Sequence, residues 1–333
     1  MTIREIARLA GVSPSAVSIA INNGKGISDE TRRHILQVVK ENNYKVPKTR
    51  KSSKRHRFVL VKYLDHGLGV EENQGFITSI VDQIEAECRR YSYDLQMINC
   101  NGETAKNTLE NIMQNPPEGV ILIATEMLEI SYKMLDLITV PIVILDNGIK
   151  YKNIDTVVMA NEHIGYNATD YLYNLGHRDI SYFKTSRQMH NCDERYEGYL
   201  KRMRELNLPI KPPVLLTASL KGAYHDMKKQ LSNGSFKPKG AAVADNDTIA
   251  IGAIKAMQEA GYKVPEDVSV IGVDDIPFGA VTMPALTTMR INREALGTLT
   301  VEIIRKRIQN PTWPGMHIEV VGELIERGST RQA

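Results

Sequence analysis

The sequence has few of the residues typical of disulfide-rich or metal-binding proteins. Of its 333 residues only three are cysteines, Cys88, Cys100 and Cys192. They form no CxxC pair and have no neighbouring histidines at zinc-ligand spacing, so we expect neither a disulfide framework nor a metal site. Buried or incidental thiols are the prediction for all three.

Long apolar runs are also missing from the chain. No stretch approaches the ~18 uncharged apolar residues of a membrane-spanning helix. The first thirty residues include Arg4, Glu5 and Arg8 and lack the apolar region of a signal peptide. We therefore expect a cytoplasmic protein without a membrane partner. The length of 333 residues favours two or three domains, and the 42% hydrophobic and 24% charged residues are typical of a folded globular protein.

Motifs for cofactor binding and catalysis are absent as well. The sequence contains no GxGxxG, GxxxxGK[ST], HExxH or GxSxG pattern, and its eight histidines are scattered. His177, in LGHRD, suits a turn between a helix and a strand. We therefore expect no cofactor and no enzymatic activity. Two alternative hypotheses for the function of the chain are kept open, an enzyme and an exported solute-binding protein.

What the chain does have is an uneven distribution of charge. Residues 1–58 contain 13 Lys/Arg and 4 Asp/Glu, a local charge of +9, within a whole chain of formal net charge +3. The other 275 residues contain 29 Lys/Arg and 35 Asp/Glu, or −6. This asymmetry indicates a basic N-terminal module that binds a polyanion, followed by a mildly acidic body that does not.

Three short helices are predicted in the first 46 residues. Each begins with a side chain suited to capping and continues with apolar residues at helical spacing. The capping residues are Thr2 (with Glu5 completing a capping box), Ser13 (followed by Pro14) and Ser28. We expect Ala7 and Gly11 to let the first two helices approach closely. The predicted core face of the third helix is Ile35, Leu36, Val38 and Val39.

Two helices joined by a short turn that contains glycine are typical of the helix-turn-helix. The second helix of this motif enters the DNA major groove with its N-terminal end. Residues 45–57, KVPKTRKSSKRHR, follow with seven Lys/Arg and no acid. A solvated linker is one reading of this segment. Beside a helix-turn-helix we favour contact with DNA phosphates, since clustered Lys/Arg gain from counterion release.

The body of the chain alternates continuous apolar runs with helical segments. Nine such runs, from FVLVKYL near residue 58 to VSVIGVDD near residue 268, predict parallel strands covered on both faces by helices. This number exceeds one comfortable sheet, so we predict two doubly wound lobes with a cleft between them. Ligands of such sheets bind beyond the carboxyl ends of the strands. The polar strand ends are Asp146-Asn147, Asn161, Asp245-Asn246-Asp247 and Asp274-Asp275.

These segments together resemble the LacI/GalR family of ligand-responsive bacterial repressors over nearly the whole chain. The resemblance rests on TIREIARLAGVSPSAVSIAIN and SDETRRHILQVVKENNY, then on YLYNLGHRDISYF, RYEGY, NDTIAIGAIKAMQEAGYKVPEDVSVIGVDDIPFG, PALTTMRIN and ELIERGST. It implies an all-α helix-turn-helix headpiece, a hinge and a periplasmic-binding-protein-like α/β core of two lobes. It also implies a homodimer on a near-palindromic double-stranded operator, controlled by a small polar effector such as a sugar or sugar derivative.

The resemblance implies the following domain boundaries. Residues 1–46 are the headpiece, 47–57 the basic hinge and 58–333 the core. The chain crosses between the lobes three times, so that the N-terminal lobe comprises about 58–160 and 291–319. The C-terminal lobe comprises about 161–290 and 320–333. The helix at about 293–309 is therefore expected in the N-terminal lobe.

The resemblance also implies the residues that contact DNA. Relatives commonly have Thr and Arg where this recognition helix has Ala16 and Ile19, which can contact a thymine methyl group but cannot bind guanine bidentately. Ser53 stands where the hinge usually inserts a Leu into the minor groove, which predicts less kinking of the DNA. The full predicted DNA-binding set is Thr2, Ser13, Pro14, Ser15, Ala16, Ser18, Ile19, Asn22, Lys48, Arg50, Lys51, Ser53 and Lys54.

Six residues are implied as effector contacts: Asn73, Phe76, Asp146, Arg195, Asn246 and Asp274. An Arg fork beside carboxylates and an amide suits a polar small molecule. Five of the six residues also have a structural alternative. Asp146 and Asn246 suit capping of the following segment, Arg195 and Asp274 a mutual salt bridge across the cleft, and Phe76 a helix core. Ala218 replaces the aromatic residue that many relatives stack on a sugar ring.

The ELIERGSTRQA ending shows no heptads, so a dimer is expected and not a tetramer.

Overall fold

The computed structural model describes residues 2–21, 24, 26–42, 44, 56–149 and 152–333. The chain divides into two compact units, Met1–Arg55 and His56–Ala333, which we call the headpiece and the core. Among the described helices, none is long and apolar enough to cross a membrane.

The described part of the headpiece contains three helices, α1 (Ile3–Leu9), α2 (Pro14–Ile21) and α3 (Asp29–Glu41). All three predicted caps are confirmed. The Thr2 Oγ1 accepts from the Glu5 amide at 3.3 Å, and the Glu5 carboxylate accepts from the Thr2 amide at 2.7 Å. The Ser13 Oγ accepts from the Ala16 amide at 3.2 Å, and the Ser28 Oγ from the Thr31 amide at 3.1 Å. Local side chains thus satisfy amides that a helix start leaves unpaired.

The headpiece core is built from the apolar faces of these three helices. Ile6, Val17 and Ile35, one from each helix, are fully buried. Leu36 was predicted in this core, but 43% of its surface is exposed, because it lies one position around the helix from Ile35. The predicted role of Gly11 was also wrong. Its φ of +63° is left-handed, and a Cβ there would meet nothing within 4 Å, so the glycine serves the turn and not a close approach.

The core's described residues form two six-stranded sheets. In the first, all neighbouring strands are parallel and the strand order is β11-β5-β4-β3-β1-β2. Its strands are β1 (His56–Tyr63), β2 (Tyr93–Cys100), β3 (Gly119–Ile123), β4 (Ile142–Leu145), β5 (Asp155–Met159) and β11 (His317–Val320). With α4 (Phe76–Arg90), α5 (Ala105–Gln114), α10 (Arg293–Gln309) and the 3₁₀ helix Glu129–Leu137, this sheet makes up the first lobe.

The second sheet has the order β12-β10-β9-β8-β6-β7, and only its edge strand β12 runs antiparallel to its neighbour among the described pairs. Its strands are β6 (Ile180–Thr185), β7 (Val214–Leu216), β8 (Gly240–Ala244), β9 (Val268–Asp274), β10 (Thr287–Arg290) and β12 (Glu323–Ile325). The second lobe adds α6 (Asn161–Asn174), α7 (His190–Glu205), α8 (Leu220–Ser232), α9 (Asp247–Glu259) and the 3₁₀ helix Pro277–Val281.

The predicted two-lobed fold class is confirmed, and the structure contains strands that were not predicted. All nine strands predicted from apolar runs are present among the described residues. The three strands without such runs, β10, β11 and β12, were not predicted; two of them, β11 and β12, are edge strands that are only partly buried. The helix α10 packs against α4 and the first sheet.

Two predicted boundaries shift at the strand ends. Strand β1 begins at His56, inside the segment predicted as hinge, because His56 and Arg57 pair in register with Tyr93 and Asp94. At the other end, β11 extends to Val320, where it pairs with Met159, so the predicted crossing after residue 319 falls inside a strand. Ladder pairing, which depends on a distant strand, decides both limits.

Candidate functional site

The six predicted effector residues lie around one small cavity between the two lobes of the core. Its volume is about 30 Å³, which is room for one or two water molecules. It lies at the carboxyl ends of β4, β8 and β9, as ligand sites of such sheets do. The lining consists of the predicted Asn73, Phe76, Asp146, Arg195, Asn246 and Asp274, together with Gly69, Thr125, Met159, Met189, Asn191 and Cys192.

Asp146, which follows β4, joins the two lobes. Its Oδ2 accepts from the Thr125 hydroxyl at 2.7 Å within the first lobe, and its Oδ1 accepts from the Asn191 Nδ2 at 2.7 Å in the second. Burial raises the pKa of the Asp146 carboxyl to about 6, although the Thr125 bond and the charge of Arg195 act in the opposite direction. These bonds, and not the alternative of capping the following segment, hold this side chain.

Arg195 extends from α7 into the same cavity and is 4% exposed. Its Nε donates to the Asn161 Oδ1 at 2.9 Å, and its Nη1 donates to the Asp245 carbonyl oxygen. The Asp245 carboxylate is itself held by the Tyr182 hydroxyl and the Thr185 amide, both at 2.6 Å. The guanidinium is therefore oriented by two fixed acceptors before any ligand contacts it.

Asp274 ends strand β9 beside Arg195. Its side chain is buried, and its Oδ1 has no hydrogen-bond partner in the protein. Burial raises the pKa of its carboxyl to about 7; Arg195 lowers it and Asp146 raises it further. The alternative of a mutual salt bridge across the cleft does not hold, because Arg195 and Asp274 both belong to the second lobe and Arg195 bonds to Asn161 and Asp245.

Left-handed backbone coincides with the cavity carboxylates. The φ angles of Asp146, Asp274 and Asp275 are +63°, +115° and +54°. Such conformations cost an aspartate on the order of 1 kcal/mol or more, and they concentrate at functional sites. Both strand ends therefore turn sharply. Asp146 and Asp274 line the cavity, whereas the carboxylate of Asp275 accepts from Arg290 and Arg327.

Asn246 performs the capping role that was its alternative. Its Oδ1 accepts from the Ile249 amide at 3.0 Å and the Thr248 hydroxyl at 2.9 Å at the start of α9. The residue also lines the cavity. Capping fixes the rotamer of this side chain, so the cap and the cavity position are compatible.

Asn73 and Phe76 come from the segment that enters α4. The Asn73 Nδ2 donates to the Gly69 carbonyl at 2.6 Å, while its Oδ1 has no protein partner. Phe76 is 3% exposed, packs in the apolar core and lines the cavity, so both readings of this residue describe its position. Its ring centroid lies 5.8 Å from the Arg293 guanidinium.

Several lining residues were missed by the sequence analysis. Thr125 and Asn191 hold Asp146, and the Asn191 Oδ1 also lacks a protein partner. Thr125 ends the GVILIAT run, so its place after a strand was a usable signal, whereas nothing in the sequence pairs Asn191 with Asp146. Cys192 lines the cavity too, and burial raises the pKa of its thiol well above the usual range. All three cysteines are free and buried, as predicted.

The predicted DNA-binding residues of the headpiece divide into exposed and covered positions. Pro14 and Ser15 are exposed at the N-terminal end of α2, whereas Ser18 is half-buried. Ala16 packs against the headpiece core, and Ile19 packs toward the following turn, with its Cγ2 3.5 Å from where a Cβ on Gly24 would lie. Thr2 and Ser13 are exposed caps. Asn22, Lys48, Arg50, Lys51, Ser53 and Lys54 lie outside the described residues.

Comparison with protein families gives two matches along the chain. Residues 2–46 match the family "Bacterial regulatory proteins, lacI family", and residues 169–330 match "Periplasmic binding protein-like domain". The HTH-type transcriptional repressor PurR of Pasteurella multocida (strain Pm70) is 31% identical over 336 residues, covering 99% of this chain and 98% of the relative. PurR of Vibrio campbellii is 28% identical over 335 residues, covering 99% of each chain.

Solved structures share the fold over 83% to 99% of the chain. The lac repressor dimer bound to operator and the anti-inducer ONPF has a TM-score of 0.74 at 21% identity, covering 99% of both chains. The complex of the transcriptional regulator CelR with cellobiose has a TM-score of 0.71 at 22% identity with the same coverage. A regulator from Enterococcus faecium with bound ribose has a TM-score of 0.70 at 22% identity, covering 83% of this chain and 99% of that one.

Proposed function

Since the chain belongs to the lacI family of bacterial regulatory proteins and is a DNA-binding transcriptional repressor, we propose that a small polar molecule bound between its lobes controls its hold on operator DNA. It is a regulator and not an enzyme. The headpiece match counts against an exported solute-binding protein, and the DNA-binding role supports the proposal that the protein acts in the cytoplasm. The observation that carries the proposal is the convergence of all six expected residues on one cavity between the lobes.

The chemistry of the cavity favours a ligand rich in hydrogen-bond donors. The oxygens of Asn73, Asn191 and Asp274 that lack protein partners are all acceptors on buried side chains. Leaving such groups unpaired costs roughly 1–3 kcal/mol each, which a ligand with N–H or O–H groups recovers. The two carboxylates of Asp146 and Asp274 disfavour a phosphorylated ligand, since the described cavity lining contains a single cationic residue, Arg195.

Ligand entry requires the two lobes to separate. The cavity of about 30 Å³ is roughly a tenth of the smallest usual small-molecule pockets. The Asp146–Asn191 hydrogen bond joins the lobes and would open or be bridged by the ligand. A ligand that binds one lobe arrangement better shifts the population toward it, and the shift changes operator affinity reciprocally, typically by about 5- to 150-fold. The direction of the response, release or tighter binding, follows from which arrangement binds DNA.

Purine bases come first among the candidate ligands, and sugars second. The relatives at 31% identity are PurR repressors, which favours a purine, and both ligand classes carry several donors. The structural neighbours at 22% identity have cellobiose and ribose in their sites. A thermal-shift screen of the full-length protein with purine bases, free sugars and phosphorylated sugars separates these classes. Stabilisation by a purine or a free sugar supports the proposal, and response to phosphorylated sugars alone contradicts its chemistry.

The salt dependence of operator binding tests the proposed contacts with DNA. The exposed N-terminal end of α2 and the basic segment 45–57 are the proposed contacts. Affinity for an operator recovered from genomic fragments should fall steeply with salt, with a log-log slope of about −0.9 for each phosphate neutralised. Replacing Lys48 and Arg50 with alanine should make this slope less negative by one to two such steps. A nearly flat dependence in the wild-type protein would contradict the phosphate contacts.

A homodimer is the proposed assembly on a near-palindromic operator. An apolar surface groove of about 530 Å³ lies against α8 and α9, and beside it Phe278, Val281 and Met283 are 48%, 76% and 86% exposed. Exposed apolar groups concentrated in this way are typical of an interface, and the lac repressor neighbour is a dimer. Met283→Asp, at a residue that lines the groove, should therefore yield monomers in sedimentation velocity, whereas Val321→Asp, at a position 62% exposed outside the groove, should not.

A further inference from the structure

Glu126, just after β3, is a buried carboxylate that the proposed ligand contacts do not include. It is 1% exposed, and four backbone amides of one loop converge on it. Its Oε2 accepts from Asp65, His66 and Gly67 at 2.7, 2.8 and 2.9 Å, and its Oε1 accepts from Gly69 at 2.8 Å. A carboxylate in such a nest of amides is strongly held, and removing it leaves several donors unpaired at once.

The loop held in this way, residues 65–75, connects β1 with α4 and will be called the strap. Gly67 has a φ of +77°, a left-handed conformation that turns the consecutive amides toward one acceptor. The strap contributes Gly69 and Asn73 to the cavity lining. Because the Asn73 Nδ2 bonds to the Gly69 carbonyl at 2.6 Å, the position of Asn73 depends on the part of the strap that Glu126 holds.

The strap also contacts the second lobe. Leu68 packs against an apolar cluster that includes Met189 and Ile276 of that lobe. A Cβ on Gly69 would lie 2.8 Å from the Met189 Sδ and 3.0 Å from the Thr125 Cγ2, so the strap runs closely between the two lobes at this point. The strap is therefore attached to the first lobe through Glu126 and reaches the second through Leu68.

We propose that Glu126 is a positioning residue for the cavity: its carboxylate fixes the strap to the first lobe, and the strap places Asn73 at the cavity and Leu68 on the second lobe. Thr125 and Glu126 are consecutive, and they hold Asp146 and the strap respectively. Movement of this one dipeptide thus displaces both first-lobe walls of the cavity together. The consequence for a ligand rests on the proposed function, whereas the attachment of the strap does not.

Hydrogen exchange on the full-length protein tests the attachment without DNA or ligand. In Glu126→Gln, the amides of 65–69 should exchange roughly tenfold faster or more, because one acceptor oxygen is replaced by a donor group. Peptides covering residues 186–193 of the second lobe should also lose protection, since the strap covers Met189. The matched control is Asp155→Asn, at a carboxylate of the same lobe that is also 1% exposed and bonded to Arg307 and the Met316 amide.

The two variants separate positioning from general support of the lobe. Loss of protection confined to the strap and residues 186–193 in Glu126→Gln, and absent from Asp155→Asn, supports the proposal. Equal loosening of the whole first lobe by both variants, or an unchanged strap in Glu126→Gln, overturns it. Should Glu126→Gln fail to fold, Leu68→Ala serves instead: residues 186–193 should lose protection while the amides of 65–67 keep theirs, and unchanged protection at 186–193 counts against the strap.

Calorimetry then tests the consequence for binding, with adenine, guanine, hypoxanthine, ribose and glucose as the probes. Glu126→Gln should weaken the compound that binds wild-type protein by at least about tenfold, and Asp155→Asn should leave its affinity unchanged. Wild-type affinity in a Glu126→Gln protein whose strap exchanges freely overturns the positioning role. If none of the five binds the wild type, it is the ligand assignment of the proposed function that fails, and the exchange result still decides whether Glu126 holds the strap.

Discussion

The headpiece and the cleft of the core differ in how far their polar partners lie apart along the chain. In the headpiece, Thr2, Ser13 and Ser28 accept hydrogen bonds from amides three residues away. In the cleft, Asp146 bonds to groups 21 and 45 residues away, and Glu126 to amides 57 to 61 residues away. The headpiece is thus a local structure with an apolar centre, whereas the cleft depends on two lobes that bring distant polar groups into a buried space.

The largest effect is expected from a charge placed in the headpiece centre. Ile35→Asp buries an unpaired carboxylate at a fully buried position, which costs several kcal/mol and unfolds a unit this small. Operator binding in a gel shift should be abolished, while the thermal transition of the core stays in place. Leu36→Asp, at the neighbouring exposed position, is the matched control and should retain binding. Loss of the core transition in Ile35→Asp would show that the two units do not fold independently.

The second largest effect is expected from removing the guanidinium of Arg195, which lies in the cleft between the lobes. Arg195→Ala leaves Asn161 and the Asp245 carbonyl without their donor and removes from Asp274 the stronger of its two neighbouring positive charges, a change typically costing about 3–5 kcal/mol. Ligand-induced stabilisation in a thermal-shift assay should disappear. Arg202→Ala, on the same helix, loses a more exposed pair with Asp170 and should cost less than about 1 kcal/mol. A retained ligand response in Arg195→Ala would remove this residue from the site.

Stability against pH should differ between adjacent aspartates. Burial raises the pKa of Asp274 from 3.8 to about 7, so this group favours folding below pH 3.8 and the contribution is lost as pH rises to about 7. For Asp275, burial acts upward, but hydrogen bonds from Arg290 and Arg327 lower the pKa overall, so its contribution is present above the unfolded pKa and lost in acid. Asp274→Asn removes this loss of stability. Between pH 4 and 7, its free energy of unfolding in denaturant should therefore rise relative to that of the wild type, by up to about 1.4 kcal/mol for each pH unit.

Asp275→Asn should change the pH dependence of the free energy of unfolding in the opposite direction. This variant should lose stability at neutral pH relative to acid, since it removes a carboxylate paired with two guanidinium groups. Identical pH profiles for Asp274→Asn and the wild type would mean that the Asp274 carboxyl is not desolvated in the folded protein.

The smallest effect is expected at the start of α2, where Ser13 caps the helix and Ser15 is an exposed candidate for DNA contact. Ser13→Ala removes the bond to the Ala16 amide and should destabilise the headpiece by about 1 kcal/mol. Ser15→Ala, at an exposed position two residues later, should leave headpiece stability unchanged and weaken operator binding. Thermal unfolding followed by circular dichroism, together with gel shifts, checks both. An equal loss of stability in the two variants would contradict the division of roles.

Much of the fold was accessible from the sequence because its signals are local or repetitive. The caps of the headpiece helices and the nine apolar strand runs identified the elements, and the strand ends indicated the cleft. The family resemblance supplied the six cavity residues, which the structure brings to one cavity. Strands β11 and β12 escaped prediction because their partly buried residues form no apolar run and their pairing partners lie far along the chain.

The residues that organise the cleft were not accessible in this way. Nothing near Asn191 indicates that its amide reaches Asp146 in the other lobe, and nothing near Glu126 indicates the four amides of the strap. The sequence by itself determined the helix starts, the strand runs, the charge of the headpiece and the position of the cleft at the strand ends, since these depend on neighbours within a few residues. Only the tertiary structure decided which buried polar groups meet, because a desolvated carboxylate is stabilised by partners that the folding of two lobes brings within 3 Å and that the order of residues does not specify.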